Sequence, residues 1–384
     1  MNSFNVYPLM NVNIKRSQGS YVWDENNRKY LDFYGGHAVI SIGHSHPHFV
    51  EALKRQIDQT VFYSNAGQNN LREELAEKLG LLSGYEDYDL FMVNSGAEAI
   101  ENALKLASFK NGRTKVLSFQ KGFHGRTSAA VHITDSEKIS SPINKGFESE
   151  KLPWNAVEVA TKAISKGDVC AVVIEGVQGI GGIHVPSKEM LQSLRTSCHQ
   201  HDTVLILDEI QSGYGRTGHF FAHQYADIRP DLITVAKGMG NGFPVGGVLI
   251  SPKFEAQYGL LGSTFGGTYL ACAAGLAVLE VIEKEELMEN AKLRGNQLKN
   301  ALSQFPEVLE MRGMGCMIGL EMPFKVKAFR KMLVEEFGVF TGSSSQPNTL
   351  RILPSLSVKH SEVEAFIAAF GAALKTYKKQ TTHE

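Results

Sequence analysis

Across 384 residues, 39 Lys and Arg set against 40 Asp and Glu leave a formal net charge of −1. That balance excludes the one-sided electrostatic footprint of a nucleic-acid or anionic-membrane binder, so any bound anion must be held by local geometry. A hydrophobic content of 43% and a charged content of 21% are those of an ordinary globular chain, and the length predicts one large and one smaller domain.

The opening M-N-S-F-N-V-Y-P-L-M lacks a basic stretch followed by an apolar one, and no apolar run approaches membrane-spanning length. A cytoplasmic protein is expected. Cys170, Cys198, Cys272 and Cys316 form no C-x-x-C pair, and Cys170 and Cys272 lie in apolar runs, as buried inert thiols do.

In chain order, residues 19–34 predict two strands around Asn26 and Asn27, which tolerate the left-handed conformation. Helical patterns follow at 47–60 and 69–82. Strands are predicted at 88–94, 115–119, 169–174, 203–208, 232–236 and 245–250, separated mostly by helix-length segments. From about 268 the texture turns helical, with short strands at 316–321 and 350–353 and an amphipathic helix over 360–378; the tail K-K-Q-T-T-H-E reads as frayed. The alternation predicts an α/β fold with a mainly parallel sheet. We expect residues 1–46 to contribute to a small domain, 47–267 to form the large one, and 268–384 to complete the small one.

The chemistry gathers at strand ends. The run T-V-L-I-L (203–207) stops abruptly at Asp208 and Glu209, and L-I-T-V-A (232–236) stops at Lys237. Ligands of open parallel sheets bind beyond the carboxyl ends of strands, so an acid and an amine there can face one ligand; the plainer alternative is a buried Asp–Lys ion pair. In 90–107 a strand, the Ser95-Gly96-Ala97 turn and a helix follow one another, so three backbone N–H groups meet the positive end of a helix dipole. Ser95 and Glu98 also read as a capping box. K-G-F-H-G-R-T (121–127) offers an aromatic face in Phe123 and a bidentate guanidinium in Arg126. Glu175 ends the strand C-A-V-V-I-E at the same edge, and strand alternation turns Glu209 away from it.

Other patterns carry less. His44, His46 and His48 alternate, but Pro47 interrupts them and no neighbouring acid or thiol completes a shell, so no metal site is expected. His199 and His201 suit a helix C-terminus. No G-x-x-x-x-G-K-[ST] occurs, and R-G-M-G-C-M-I-G (312–319) has the wrong spacing for a dinucleotide fingerprint and precedes a strand.

Together N-S-G-A-E-A, F-H-G-R-T, L-D-E-I-Q-S-G-Y-G-R-T-G, V-A-K-G-M-G-N-G-F-P and S-T-F-G-G, in that order, resemble the class III aminotransferases of the type I pyridoxal-phosphate-dependent fold. Similarity runs from W-D-E-N-N-R-K-Y-L-D to L-R-I-L-P and is strongest to the acetylornithine and succinylornithine branch. The resemblance implies pyridoxal 5'-phosphate in the large domain, with Lys237 as the Schiff-base lysine and proton shuttle and Asp208 on the ring nitrogen. Ile210 and Phe123 would cover the ring faces and Gln211 would reach its hydroxyl. The phosphate would lie on Ser95, Gly96 and Ala97, with Thr264 supplied by the partner subunit of a homodimer. Arg126 and Ser263 would touch the amino-acid substrate and Arg351 the carboxylate of glutamate or 2-oxoglutarate; Glu175 would line the pocket. The activity implied is transfer of the δ-amino group of an N-acylornithine, acetyl or succinyl, to 2-oxoglutarate in arginine biosynthesis. A 4-aminobutyrate, ornithine or other ω-amino acid aminotransferase shares these residues, and a non-catalytic cofactor-binding protein is the alternative from another class.

Three departures stand out. Thr268 and Tyr269 replace Asn-Pro, and Ile100 replaces Asn, both expected to be mild. Ile180 stands where the family commonly has a Glu that pairs with the arginine matching Arg351 while ornithine is bound. Its absence points away from free ornithine and towards an acylated donor.

Overall fold

The computed structural model describes residues 1–381. Its strands are β1 (Ile14–Gln18), β2 (Tyr21–Asp24) and β3 (Lys29–Phe33), then β4 (Asp89–Val93), β5 (Lys115–Phe119), β6 (Ser149–Leu152) and β7 (Val169–Glu175). There follow β8 (Val204–Asp208), β9 (Leu232–Val235), β10 (Gly246–Ile250), β11 (Glu310–Met314), β12 (Met317–Glu321), β13 (Val339–Ser343) and β14 (Thr349–Ile352). They form two seven-stranded sheets, ordered β1-β2-β3-β13-β14-β12-β11 and β4-β10-β9-β8-β7-β5-β6. The first draws strands from both ends of the chain and is antiparallel except where β13 meets β3. In the second, β10 alone runs against its neighbours. The carboxyl ends of β4, β5, β7, β8 and β9 therefore open on one edge.

Helices α1 (Pro47–Gln59), α2 (Asn70–Ser83), α3 (Gly96–Asn111), α4 (Val157–Ile164), α5 (Lys188–Gln200), α6 (Tyr269–Lys284), α7 (Leu287–Leu302), α8 (Val326–Glu335) and α9 (His360–Thr381) cover the sheets. All seven residues of β7 and all five of β8 are buried, as expected of strands covered on both faces. Val173 and Ile206 pack with Ile100 and Ala103 of α3 on one side. Val172, Ile174, Leu205 and Leu207 pack with Ala160 of α4 and with Leu191 and Leu194 of α5 on the other. Each buried Val, Ile or Leu among them contributes roughly 1.5–3 kcal/mol, and together they pack the sheet edge that carries the site.

Two expectations need correction. Lys378–Thr381, read as frayed, continue α9; the rest of that tail, 382–384, lies outside the described residues. Glu98 does not close a capping box on Ser95. The Ser95 hydroxyl accepts from the Glu98 N–H at 3.2 Å, but the Glu98 carboxylate takes the N–H of Asn94 at 2.8 Å, one residue earlier, because Asn94 also donates its side chain to it at 2.9 Å. Thr268 occupies the N-cap of α6 and Tyr269 its first turn, so losing Asn-Pro leaves the helix start in place.

Candidate active site

A cavity of ≈ 530 Å³ opens at the shared strand edge. Lys237 and Asp208 both line it, as do Ser95, Gly96, Ala97, Phe123, Arg126, Glu175, Ile210 and Gln211. Lys237 opens a one-turn 3-10 helix just past β9 and holds φ at 44°. A left-handed φ costs a non-glycine residue roughly 1–2 kcal/mol, and the surroundings impose it. The Ser41 hydroxyl donates to the Gly238 carbonyl at 2.7 Å, while the Asn241 side chain accepts the N–H groups of Ser41 and Ile42.

Asp208 is not ion-paired with that lysine. Its Oδ2 lies 2.8 Å from Nδ1 of His124 and its Oδ1 accepts the Ile210 N–H at 3.1 Å. Both side chains are buried. Burial works against a charged His124, but the hydrogen bond and charge of Asp208 outweigh it and raise the imidazole. Glu175, beside Asp208 in the β7–β8 register, accepts the N–H groups of Phe123 at 3.0 Å and Gly179 at 2.9 Å. Burial and the neighbouring Asp208 push it up to about 7 against the pull of His124 and those N–H groups. The Lys237 amine is lowered by burial, opposed by Asp208 and Glu175. A lowered amine is a better nucleophile and base at neutral pH.

The glycines mark where backbone must approach something closely. A Cβ on Gly96 would lie 2.9 Å from Ile210 side-chain atoms, and one on Gly179 would lie 1.8 Å from the Gln211 amide oxygen. Gln211 is fixed from both ends: its Nε2 donates to the His37 carbonyl at 2.9 Å and its Oε1 accepts from Arg351 Nη1 at 3.2 Å. Arg351, fully buried on β14, also donates Nε to the Ser343 carbonyl at 2.5 Å, while its Nη2 has no partner among the described residues. Burial brings this guanidinium down to about 10.

Ser263 and Thr264 are not brought to this cavity in their own chain. Ser263 caps its own turn, accepting from Gly266 N at 3.0 Å and Asn94 Nδ2 at 3.2 Å, and both residues border a separate surface hollow with Phe62, Ser64 and Asn65. Glu209 turns away from the site, as strand alternation predicts, and pairs with His223 at 2.7 Å. His44 and His46 go to separate carboxylates, Asp32 at 2.7 Å and Glu285 at 2.9 Å, and His48 goes to Glu280. Sequence reasoning missed the roles of His124 and His37: nothing local predicts a bond across 84 positions.

A planar, phosphorylated, heteroaromatic aldehyde fits these donors. There is an amine to hold the aldehyde, a carboxylate for a protonated ring nitrogen, apolar Ile210 for one face, Phe123 for another, and a helix N-terminus for the phosphate. The comparisons with known proteins lead to the same place. The family described as Aminotransferase class-III matches residues 3–374. The chain belongs to the class-III aminotransferases.

Among relatives of this class-III chain, the acetylornithine aminotransferase of Bacillus subtilis is 38% identical over 379 residues, covering 97% of each chain. That of Archaeoglobus fulgidus is 38% identical, covering 93% of this chain and 94% of its own. Of the solved structures, the ornithine aminotransferase of Toxoplasma gondii superposes with a TM-score of 0.90 at 26% identity, covering 99% of this chain and 93% of that one. The acetylornithine aminotransferase of Elizabethkingia anophelis superposes with a TM-score of 0.84 at 28% identity, covering 97% and 95%.

Proposed function

We propose that this class-III aminotransferase uses pyridoxal 5'-phosphate to move the δ-amino group of an N-acylornithine to 2-oxoglutarate. The observation that carries the reading is a single cavity lined by Lys237 and Asp208, with the unpartnered guanidinium nitrogen of Arg351 behind Gln211. When bound, pyridoxal phosphate supplies an aldehyde that condenses with amines and a ring that takes up the electron pair left by a departing hydrogen. The protein's residues do the rest. Lys237 Nζ would hold the group and, as a free amine, would take a proton from the amine-bearing carbon of the substrate. Asp208, oriented by His124, would keep a proton on the ring nitrogen. The N–H groups of Ser95, Gly96 and Ala97 would hold the phosphate, Ile210 and Phe123 would fix the ring plane, and Gln211 would reach the ring hydroxyl.

Two substrates take turns in one cavity. Arg126 clamps the carboxylate of the amino donor and Arg351 that of the 2-oxo acid. Ile180 lines the cavity, so no carboxylate at that position neutralises Arg351 while a donor is bound, which supports an acylated donor over free ornithine. Ser263 and Thr264, placed away from their own cavity, fit a role in a partner subunit's site within a homodimer. Four buried free thiols suit a reducing cytoplasm, and among the described residues no helix is long and apolar enough to cross a membrane.

A steady-state panel tests the reading, with N-acetylornithine, N-succinylornithine, ornithine and 4-aminobutyrate each offered with 2-oxoglutarate. An acylornithine is expected to give the highest kcat/KM, by on the order of tenfold or more, since burying an unpaired charge costs at least ~1.4 kcal/mol. Preference for ornithine or 4-aminobutyrate would overturn the substrate assignment.

A further inference from the structure

The corner that holds Arg351 contains a second guanidinium. Arg330, on α8, donates Nε at 3.1 Å and Nη2 at 2.7 Å to the Thr341 carbonyl of β13. Arg351 donates Nε to the Ser343 carbonyl of the same strand. Carbonyls two residues apart on a strand point the same way, at ~7 Å spacing, so the two cations are anchored side by side. Gly342 lies between their anchors. A Cβ there would be 3.1 Å from Arg351 Cβ and 3.2 Å from Tyr34 Cδ2, so Tyr34 and Arg351 pack tightly over the strand at this glycine.

Tyr34 leads into a left-handed turn, with φ of 55° at Gly35, 55° at Gly36, 66° at His37 and 61° at Ala38. The turn delivers His37 to the cavity with its ring 4.8 Å from that of Tyr34, edge to face. Two non-glycine residues held left-handed are costly, and such strain persists where neighbours over-determine it, often at functional sites. Burial lowers His37 to about 4, helped by the positive charges of Arg351, Lys237 and Arg330. The imidazole is neutral, and the charge around it is positive. Both guanidiniums spend their hydrogen bonds on carbonyl oxygens, and Arg351 keeps one buried nitrogen unpaired.

We propose that Arg330 is a positioning residue for the acceptor's carboxylate: its charge, set beside Arg351 through β13, tunes this corner for a dicarboxylic 2-oxo acid and leaves donor binding alone. The inference rests on the aminotransferase reading above and adds a residue to it.

Glutarate, a dicarboxylate that cannot react, is the probe, titrated calorimetrically into the holoenzyme and into holoenzymes carrying R330Q or R330K. R330Q keeps a donor for the Thr341 carbonyl and loses the charge; R330K keeps the charge. Glutarate should bind R330Q roughly tenfold more weakly than wild type, as expected for removing a charge at this range in a partly buried site, and R330K should stay within about threefold. In turnover, KM for 2-oxoglutarate should rise in R330Q by a similar factor, with kcat and the donor KM changing less than about twofold. R330M replaces R330Q if the latter fails to fold. Equal glutarate affinity in wild type and the uncharged variant overturns the proposal, and so does equal weakening in R330K, which would make the role that of a strand clamp. Wild type that does not bind glutarate at all would instead count against 2-oxoglutarate as acceptor.

Discussion

Single residues at this site are set by burial as much as by charge. Glu175 shows the consequence for stability. Its carboxyl is raised from 4.5 to about 7 in the folded chain, so folding favours its neutral form. That contribution is complete below the unfolded value of 4.5 and is lost as pH rises through about 7. Replacing Glu175 by Gln leaves one acceptor for the Phe123 or Gly179 N–H and removes the buried charge. In the cofactor-free protein, E175Q should therefore melt above wild type at pH 8, with the difference shrinking by pH 5, as followed by calorimetric Tm across that range. An unchanging difference would show that Glu175 is not held neutral by burial. His124 lies at the same scale. Its bond to Asp208 was invisible in the sequence because it joins a loop after β5 to the end of β8, and no periodicity marks a partner chosen by topology.

At the scale of elements, the site is a set of strand ends and one helix start. Strands β5, β7, β8 and β9 were legible because each is a short apolar run that stops at a charged or glycine-rich turn, and runs buried on both faces leave little ambiguity. β6, a four-residue edge strand of the second sheet, escaped the sequence reading, and so did β1, β11 and β13. The burial of these last three is partial or mixed, and they join a sheet assembled from both chain ends, so no local pattern announces them. The start of α3 was read correctly as a cap on Ser95, while the exact partner of Glu98 depended on Asn94, which the capping-box pattern ignores. The close approach at this turn is testable. Alanine at Gly96 would drive its Cβ to 2.9 Å from Ile210, and overpacking of this kind costs about 1–3 kcal/mol. G96A should weaken binding of pyridoxal phosphate by roughly tenfold or more in a titration of the cofactor-free protein, with the fold intact by circular dichroism. Unchanged affinity would mean that Ile210 and the Gly96 backbone do not share one ligand.

For the molecule as a whole, the order of motifs along the chain foretold the family, and the residues singled out at the strand ends line one cavity. The exception is the segment around Ser263 and Thr264, which a single chain leaves at a surface hollow bordered by Phe62. The rings of exposed Phe62 and Phe265 lie 5.4 Å apart beside it, tilted by 52°, an apolar patch of the sort that assembly covers. If a partner's Thr264 helps hold the phosphate, T264A should remain a dimer by sedimentation yet release pyridoxal phosphate about tenfold more readily on dilution, the worth of one charge-assisted hydrogen bond. A monomeric wild-type protein that retains cofactor would remove that assignment.

The central claim is that Lys237 holds the cofactor's aldehyde while Asp208 meets the far side of the same ring. Borohydride reduction of the protein loaded with pyridoxal phosphate, followed by peptide mass spectrometry, addresses it directly. The account predicts a phosphopyridoxyl group on the peptide containing Lys237, at that side chain, and none on K237A treated in the same way. Label on a different lysine, or none on the wild-type protein, would contradict it.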